Sequence, residues 1–280
     1  MSVKPTVLKL GGSVITNKAK TLTPSLPTIE RLTKEISRAN ISPLVLVHGG
    51  GSFGHPLAKR YAIKEGYRKG DASQVLGFCE THQAMVTLNK LVVDVLIQHN
   101  IPAVAVSPSS CVVTKSGRIS TMMQELLKRL LKNGFVPVLF GDTVLDSDLG
   151  FTILSGDQLV AYLAVRLKAA RIIMGIDVNG LFTGDPKVDS SAHLINHITL
   201  EELRRMLARI GESKVTDVTG GMLGKIAELM PAVEKGIPSL IVNAAKPNNL
   251  YRALKGERTV GTLIERGEKT VVRKNQGKKI

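Results

Sequence analysis

The 280-residue sequence has no tryptophan and only 4% aromatic residues. Stacking platforms for sugars or bases therefore have few side chains from which to be built. It has two cysteines, Cys79 and Cys111, both in apolar surroundings. That is neither a disulfide framework nor a zinc site, and a reducing cytoplasm is the default setting. No apolar run approaches the roughly 18 residues that a membrane span needs, and the best, residues 91–98, is interrupted by Asp94. The first ten residues, MSVKPTVLKL, lack a charged segment followed by a long apolar one, so no secretory signal is expected. There is no G-x-x-x-x-G-K-[ST] phosphate loop, and the H-R-D and D-F-G signatures of protein kinases are missing.

Apolar residues make up 43% of the chain and charged residues 22%. A chain of this length and composition can bury a large core, which excludes disorder as its main state. The net charge is +15, from 38 basic and 23 acidic residues. The tail 266–280 holds six of the basic residues and one acidic one; the remaining excess is spread along the chain. With no interleaved aromatics and no nucleic-acid motif, this charge reads as solubility plus attraction of phosphorylated substrates.

Short Val/Ile/Leu-rich runs alternate with segments of helical periodicity. Strands are predicted at 6–10, 43–47, 103–106, 136–140, 171–175, 239–243 and 260–264, several of them apolar throughout, as in strands covered on both faces. Helices are predicted at 28–39, 72–98, 121–131, 157–168, 200–208 and 223–235. Ser155 is a candidate N-cap for the fourth and the pair Ile119-Ser120 for the third. Residues 143–148 and 151–154 read as a hairpin turning at Leu149-Gly150. The fold class is therefore α/β, a mostly parallel central sheet sandwiched by helices. Neither a linker nor an internal repeat is visible. One domain is expected over 1–265, with an N-terminal lobe to about residue 155, a C-terminal lobe from 156, and a loose basic tail over 266–280.

Ligands of such sheets bind beyond the carboxyl ends of the strands, and the glycines cluster there. The first strand runs into Gly11-Gly12-Ser13, the second into Gly49-Gly50-Gly51-Ser52-Phe53-Gly54-His55, and Thr219-Gly220-Gly221-Met222 opens a helix carrying Gly224 and Lys225. Three turns of this kind suit more than one phosphate group, because glycine lets backbone N–H groups approach an anion closely. Gly49 to Gly54 matches G-x-G-x-x-G in letters, but His55-Pro56 follows and disfavours the direct start of a helix that a dinucleotide fingerprint needs. Lys9 lies inside an apolar strand, where lysine needs a partner. With Lys18 and Lys225 it reads as a set of charge neutralisers for a transferring phosphoryl group. Asp157, opening a helix, is placed to orient Lys9 or Lys18, or to stabilise that helix start. His55 follows four glycines in seven residues and stands clear of bulky neighbours, whereas His48 adjoins the strand and reads as structural. The helix from Ala72 carries Val75, Phe78, Cys79 and His82 on one face. That face either packs in the core or floors an apolar pocket.

These residues resemble the amino acid kinase superfamily and, within it, the isopentenyl phosphate kinases. The resemblance runs from about residue 5 to 264. It rests on Leu8-Lys9-Leu10-Gly11-Gly12-Ser13 with Ile15-Thr16-Asn17-Lys18, on His48 to His55, on Gly141-Asp142, and on Leu154-Ser155-Gly156-Asp157. It continues through Asp177 to Pro186 and Asp217 to Lys225. It implies ATP-dependent phosphorylation of isopentenyl phosphate to the diphosphate, with Mg²⁺, in a cytoplasmic homodimer without a membrane span. It further implies that Lys9, Gly11, Gly12 and Ser13 embrace ATP phosphates. Gly51, Asp177, Gly221 and Lys225 would line the nucleotide side, and Gly50, His55 and Gly156 would hold the acceptor phosphate. Lys18 would stabilise the transition state, and the loop from Asp177 to Pro186 would lie by the adenosine. His55 is expected to donate as an imidazolium. The loop departs from the family pattern at Asn179 and Gly184, and the tail has no counterpart in it. Other acceptors of the same superfamily stay open (fosfomycin-like, nucleoside monophosphate, acylglutamate), as do a non-catalytic nucleotide-binding regulator and a nucleic-acid binder.

Overall fold

The computed structural model describes residues 3–184, 189–212 and 222–267. In chain order the first elements are β1 (Thr6–Leu10), α1 (Gly12–Ile15), α2 (Leu26–Ala39), β2 (Leu44–His48), α3 (Gly51–Arg60), α4 (Ala72–Gln98) and β3 (Ala103–Ala105). Next come β4 (Val112–Lys115), β5 (Arg118–Met122), α5 (Gln124–Lys132), β6 (Val136–Phe140), β7 (Asp142–Asp146), β8 (Gly150–Leu154) and α6 (Gly156–Arg166). The last are β9 (Arg171–Ile176), β10 (His197–Thr199), α7 (Leu200–Glu212), α8 (Met222–Glu234), β11 (Ser239–Asn243), α9 (Asn249–Lys255) and β12 (Gly261–Glu265).

The expected sheet is present. Among the described residues eight strands lie in the order β10-β12-β11-β9-β1-β2-β6-β3. Every pairing is parallel except that of β11 with β12. A second sheet, β5-β4-β7-β8, stands beside it.

Alternation along the strands divides the core in two. Val7, Val47, Ile172 and Met174 pack on one side with Leu159 and Leu163 of α6 and with Ile226 and Leu229 of α8. Leu8, Leu10, Leu46 and Ile173 pack on the other with Leu32 of α2 and with Met85 and Leu88 of α4. Each Leu or Val buried this completely contributes about 1.5–3 kcal/mol. The same alternation sends Lys9 to the Val7 side, toward α6 and α8.

Two local expectations are corrected. Residues 121–131 do not form one helix from an N-cap at Ile119-Ser120. Those two residues belong to β5, and α5 starts at Gln124. The cause is a tight turn: Ser116 and Gly117 both have positive φ, and their N–H groups donate to the Asp146 carboxylate at 3.1 and 2.8 Å. That fold-back pairs β4 with β5. Helix α3, in turn, starts within the second glycine cluster and runs through Pro56. Pro56 has no N–H for the Ser52 carbonyl, and the N–H of Leu22 takes that acceptor at 3.1 Å. The break is thereby satisfied from outside the helix. The hairpin of β7 and β8 forms as expected, from Asp142↔Leu154 to Asp146↔Gly150. Ser155 caps α6 by accepting the Gln158 N–H at 3.1 Å.

Candidate active site

Strands β9, β1, β2 and β6 are parallel neighbours, so their carboxyl ends lie side by side. β1 runs into Gly11-Gly12, β2 into Gly49-Gly50-Gly51, β6 into Gly141 and β9 into Asp177. A cavity of about 800 Å³ opens there. Helices α3, α6 and α8 begin on its wall with Gly51, Gly156 and Met222, so three helix N-termini, whose dipoles favour an anion, meet one volume.

The first two glycine turns touch back to back. A Cβ on Gly12 would lie 2.2 Å from the Gly51 nitrogen. Gly51 has φ +49°, and a Cβ on it would lie 2.1 Å from Thr16 Oγ1. No side chain fits at either position, so the two turns meet without bulk between them.

The charges follow from the register. Lys9 Nζ lies 3.1 Å from Asp157 Oδ1, and Lys225 Nζ lies 3.4 Å from Asp157 Oδ2. The Lys9 side chain is 4% exposed. Its contact with Oδ1 is an ion contact off the hydrogen-bond angle, since that oxygen has no well-aligned donor among the described residues. Burial, then Lys225, pull the Lys9 pKa below the ordinary 10.5, against the opposing pull of Asp157. Burial would raise the pKa of Asp157, but Lys9 and Lys225 outweigh it and hold the carboxyl below its ordinary value. One buried carboxylate thus holds two ammonium groups at the cavity wall and leaves an excess of positive charge there.

Lys18 is not a partner of Asp157. Its side chain is exposed, and its Nζ lies 2.5 Å from Asp177 Oδ2. Burial would raise the pKa of Asp177, but Lys18 outweighs it, helped by the Ser13 hydroxyl, and the carboxyl is held below its ordinary value. His55 is solvent-accessible on the cavity wall. Partial desolvation by the cavity wall, then Lys225 and Lys9, lower its pKa from 6.5. That favours the neutral ring, whereas a phosphate dianion held against it would pull toward the imidazolium. His48 is fully buried, and burial pushes its pKa to about 4. Its Nδ1 meets the Gly49 carbonyl at 3.1 Å and its Nε2 meets the Asn89 side-chain amide at 3.1 Å. Both ring nitrogens are used, which agrees with a structural role.

The structure brings Lys9, Gly11, Gly12, Ser13, Lys18, Gly50, Gly51, His55, Gly156, Asp177 and Lys225 to the wall of this one cavity. Gly221 lies outside the described residues, as do parts of the third glycine cluster and of the loop from Asp177 to Pro186. The expected α4 face is displaced. Val75 and Cys79 are exposed, Phe78 packs on Phe151 with ring centroids 5.4 Å apart, and His82 Nδ1 binds Asp142 at 3.0 Å. The helix meets the cavity through Thr81 and Met85 instead, opposite Ile153. These positions escaped the sequence reading because the stripe Thr81-Met85-Leu88-Val92 faces the sheet, and only its N-terminal end overhangs the cavity. The Thr81 hydroxyl is buried and has no hydrogen-bond partner among the described residues.

Residues 4–243 match the model of the amino acid kinase family. The chain is 43% identical to isopentenyl phosphate kinase of Methanothermobacter thermautotrophicus, covering 92% of this chain and 98% of that protein. It is 37% identical to isopentenyl phosphate kinase of Methanocaldococcus jannaschii, covering 94% and 99%. A solved structure described as X-ray structures of isopentenyl phosphate kinase superposes with a TM-score of 0.82 at 41% identity, covering 93% of this chain and 99% of that one. A UMP kinase from Ureaplasma parvum, at 18% identity and a TM-score of 0.61, shares the fold.

Proposed function

The chain belongs to the amino acid kinase family, and from that premise we propose that it transfers the γ-phosphoryl group of ATP to isopentenyl phosphate, yielding isopentenyl diphosphate and ADP. The observation that carries this reading is the meeting of two side-chain-free glycine turns beside the Lys9–Asp157–Lys225 bridge and His55.

The acceptor is a phosphate monoester with a second pKa of about 6, so it is largely a dianion at neutral pH. No general base is required. An oxygen of that dianion attacks the γ-phosphorus in line, a new P–O bond forms, and the bond to the β,γ-bridging oxygen breaks as ADP leaves with the electron pair. The obstacle is repulsion between two anions, and the site answers it with positive charge and alignment. Lys9 and the N–H groups of Gly11, Gly12 and Ser13 hold the donor phosphates. Gly51, Asp177, Gly221 and Lys225 complete the nucleotide side. Gly50, Gly156 and a His55 N–H hold the acceptor phosphate, with Thr81, Met85 and Ile153 along its tail. Lys18 covers the transferring group. Asp157 touches no substrate here; it holds Lys9 and Lys225 in register.

The donor is taken as Mg–ATP, the ion arriving with the nucleotide. In this reading the acceptor belongs to the lobe ending near residue 155 and the adenosine to the lobe that follows. The enzyme is taken as a cytoplasmic homodimer, an expectation carried by the family resemblance.

The test is ADP release with Mg–ATP against isopentenyl phosphate, dimethylallyl phosphate, fosfomycin, UMP and N-acetylglutamate. Turnover is expected on the prenyl phosphates and above all on isopentenyl phosphate. Turnover confined to one of the other three would overturn the acceptor, and ATP binding without turnover on any would favour the regulator.

A further inference from the structure

Lys18 poses a positional problem. Its side chain is exposed and flexible, and the loop that carries it, between α1 and α2, has no regular structure beyond the bridge Thr16↔Pro24. A lysine that acts only in the transition state must nevertheless be held to within a fraction of an ångström, because a misplacement of about 1 Å can cost on the order of a hundredfold in rate. Its ammonium is anchored at one end by Asp177. The loop must be anchored at the other.

That second anchor is Ser52, the residue after Gly51, together with Thr16. Both are buried. Ser52 spends every polar group on the loop. Its N–H donates to Thr16 Oγ1 at 3.0 Å, and its hydroxyl donates to the Thr23 carbonyl at 3.3 Å and faces the Thr23 N–H at 3.4 Å. Its carbonyl, freed by Pro56, accepts the Leu22 N–H at 3.1 Å. Thr16 Oγ1 in turn donates to the Gly12 carbonyl at 2.7 Å. The Asn17 N–H closes the loop on the Thr23 carbonyl at 2.9 Å. One short chain of bonds thus runs from the Gly12 turn, through Thr16 and Ser52, to both ends of the segment bearing Lys18. Ser52 also sits one residue from the Gly51 turn. The Lys18 loop is therefore fixed to both phosphate-binding turns at the point where they touch.

We propose that Thr16 and Ser52 are positioning residues that lock Lys18 in register with the donor and acceptor phosphates. The proposal rests on the reading of Lys18 given above. It predicts a specific kinetic signature, since losing an interaction made only in the transition state lowers kcat and leaves substrate KM alone. Thr16→Val keeps the shape and removes the oxygen that joins Gly12 to Ser52; Thr16→Ser restores it.

The experiment measures kcat and both KM values with Mg–ATP and isopentenyl phosphate for the parent, Thr16→Val, Thr16→Ser, Lys18→Ala and the double variant Thr16→Val/Lys18→Ala. Thr16→Val is expected to lower kcat by roughly tenfold or more with both KM values within about twofold, and Thr16→Ser to recover most of the loss. In the Lys18→Ala background the same change should cost less than about twofold, because the group being positioned is gone. Ser52→Ala, made with and without Lys18→Ala, gives the same comparison if Thr16→Val does not fold. Full multiplication of the two losses, or a loss confined to KM, would overturn the proposal while leaving the role of Lys18 intact. An unchanged kcat in Lys18→Ala would overturn both.

Discussion

Asp157 carries more of the site than its single charge suggests. It lies between a buried lysine and a half-buried one, and removing its charge leaves the buried Lys9 with no counterion among the described residues. Breaking a buried pair in this way costs about 3–5 kcal/mol. Asp157→Asn should therefore lower unfolding stability by an amount of that order and raise KM for Mg–ATP, because the freed lysines lose their spacing. Urea unfolding checks the first part, and parent-like stability would refute it. His55 makes a different prediction. Its pKa is lowered, which favours the neutral ring at neutral pH and above. As pH rises from 5 to 7 the acceptor phosphate gains its second charge near pH 6. The ratio kcat/KM for isopentenyl phosphate should climb over that interval and then stay level. A descending limb between pH 6.5 and 8 that disappears in His55→Gln would show a protonated His55 at work. His55→Gln should keep partial activity, since an amide still donates, while His55→Ala raises KM and lowers kcat. Among these residues Lys9 is legible from the sequence alone, because a lysine inside Leu-Lys-Leu-Gly-Gly must find a partner. Its partner is not. Asp157 is one of three carboxylates on the cavity wall among the described residues, with Asp142 and Asp177, and only the strand register sends Lys9 to the α6 side and leaves Asp177 for Lys18.

At the scale of elements, β1, β6, β11 and α4 lie where the apolar runs put them, bounded by glycine, proline or a good cap. Asp71 shows why: its carboxylate accepts the N–H groups of Ser73 and Gln74 and starts α4 at Ala72. The elements that escape are those decided by tertiary partners. β4 and β5 depend on the distant Asp146 for their turn, β10 is three residues long, and α3 survives Pro56 only because Leu22 supplies the missing donor. Helix α4 is correctly bounded but misoriented in the sequence reading. Its apolar positions are too many to single out one face, and burial under the sheet selects Thr81, Met85, Leu88 and Val92. The substrate-length prediction moves accordingly. Met85 Sδ lies against the Gly50 turn, 3.1 Å from where a Cβ would be. Met85→Ala should open the cavity and raise activity on geranyl phosphate relative to isopentenyl phosphate, at a cost in stability of about 2–5 kcal/mol. Phe78→Ala should change stability through its stacking on Phe151 without that gain. Competition assays with the two prenyl phosphates decide between the faces.

For the whole molecule the buried His48 sets an acid limit. Its pKa is about 4 in the fold against 6.5 in an open chain, so between these values the unfolded state binds the extra proton. Stability is therefore complete above pH 6.5 and drains away as pH falls toward 4, by on the order of 3 kcal/mol from this residue alone. Urea titrations at pH 4, 5, 6 and 7 measure the slope, and His48→Gln should flatten it. The sheet order has a further consequence. β1, made well before β9, ends in the middle of the sheet, with Thr6 paired to Leu44 on one side and to Arg171 on the other. On the ribosome, β1, β2, β6 and β3 emerge long before β9, so the nascent chain carries an exposed, apolar strand edge beside Lys9 for the whole interval. Synthesis thus passes through a stage in which the future phosphate site is an unpaired edge, and a chain released early, before Arg171, would present that edge to other chains as a template for aggregation.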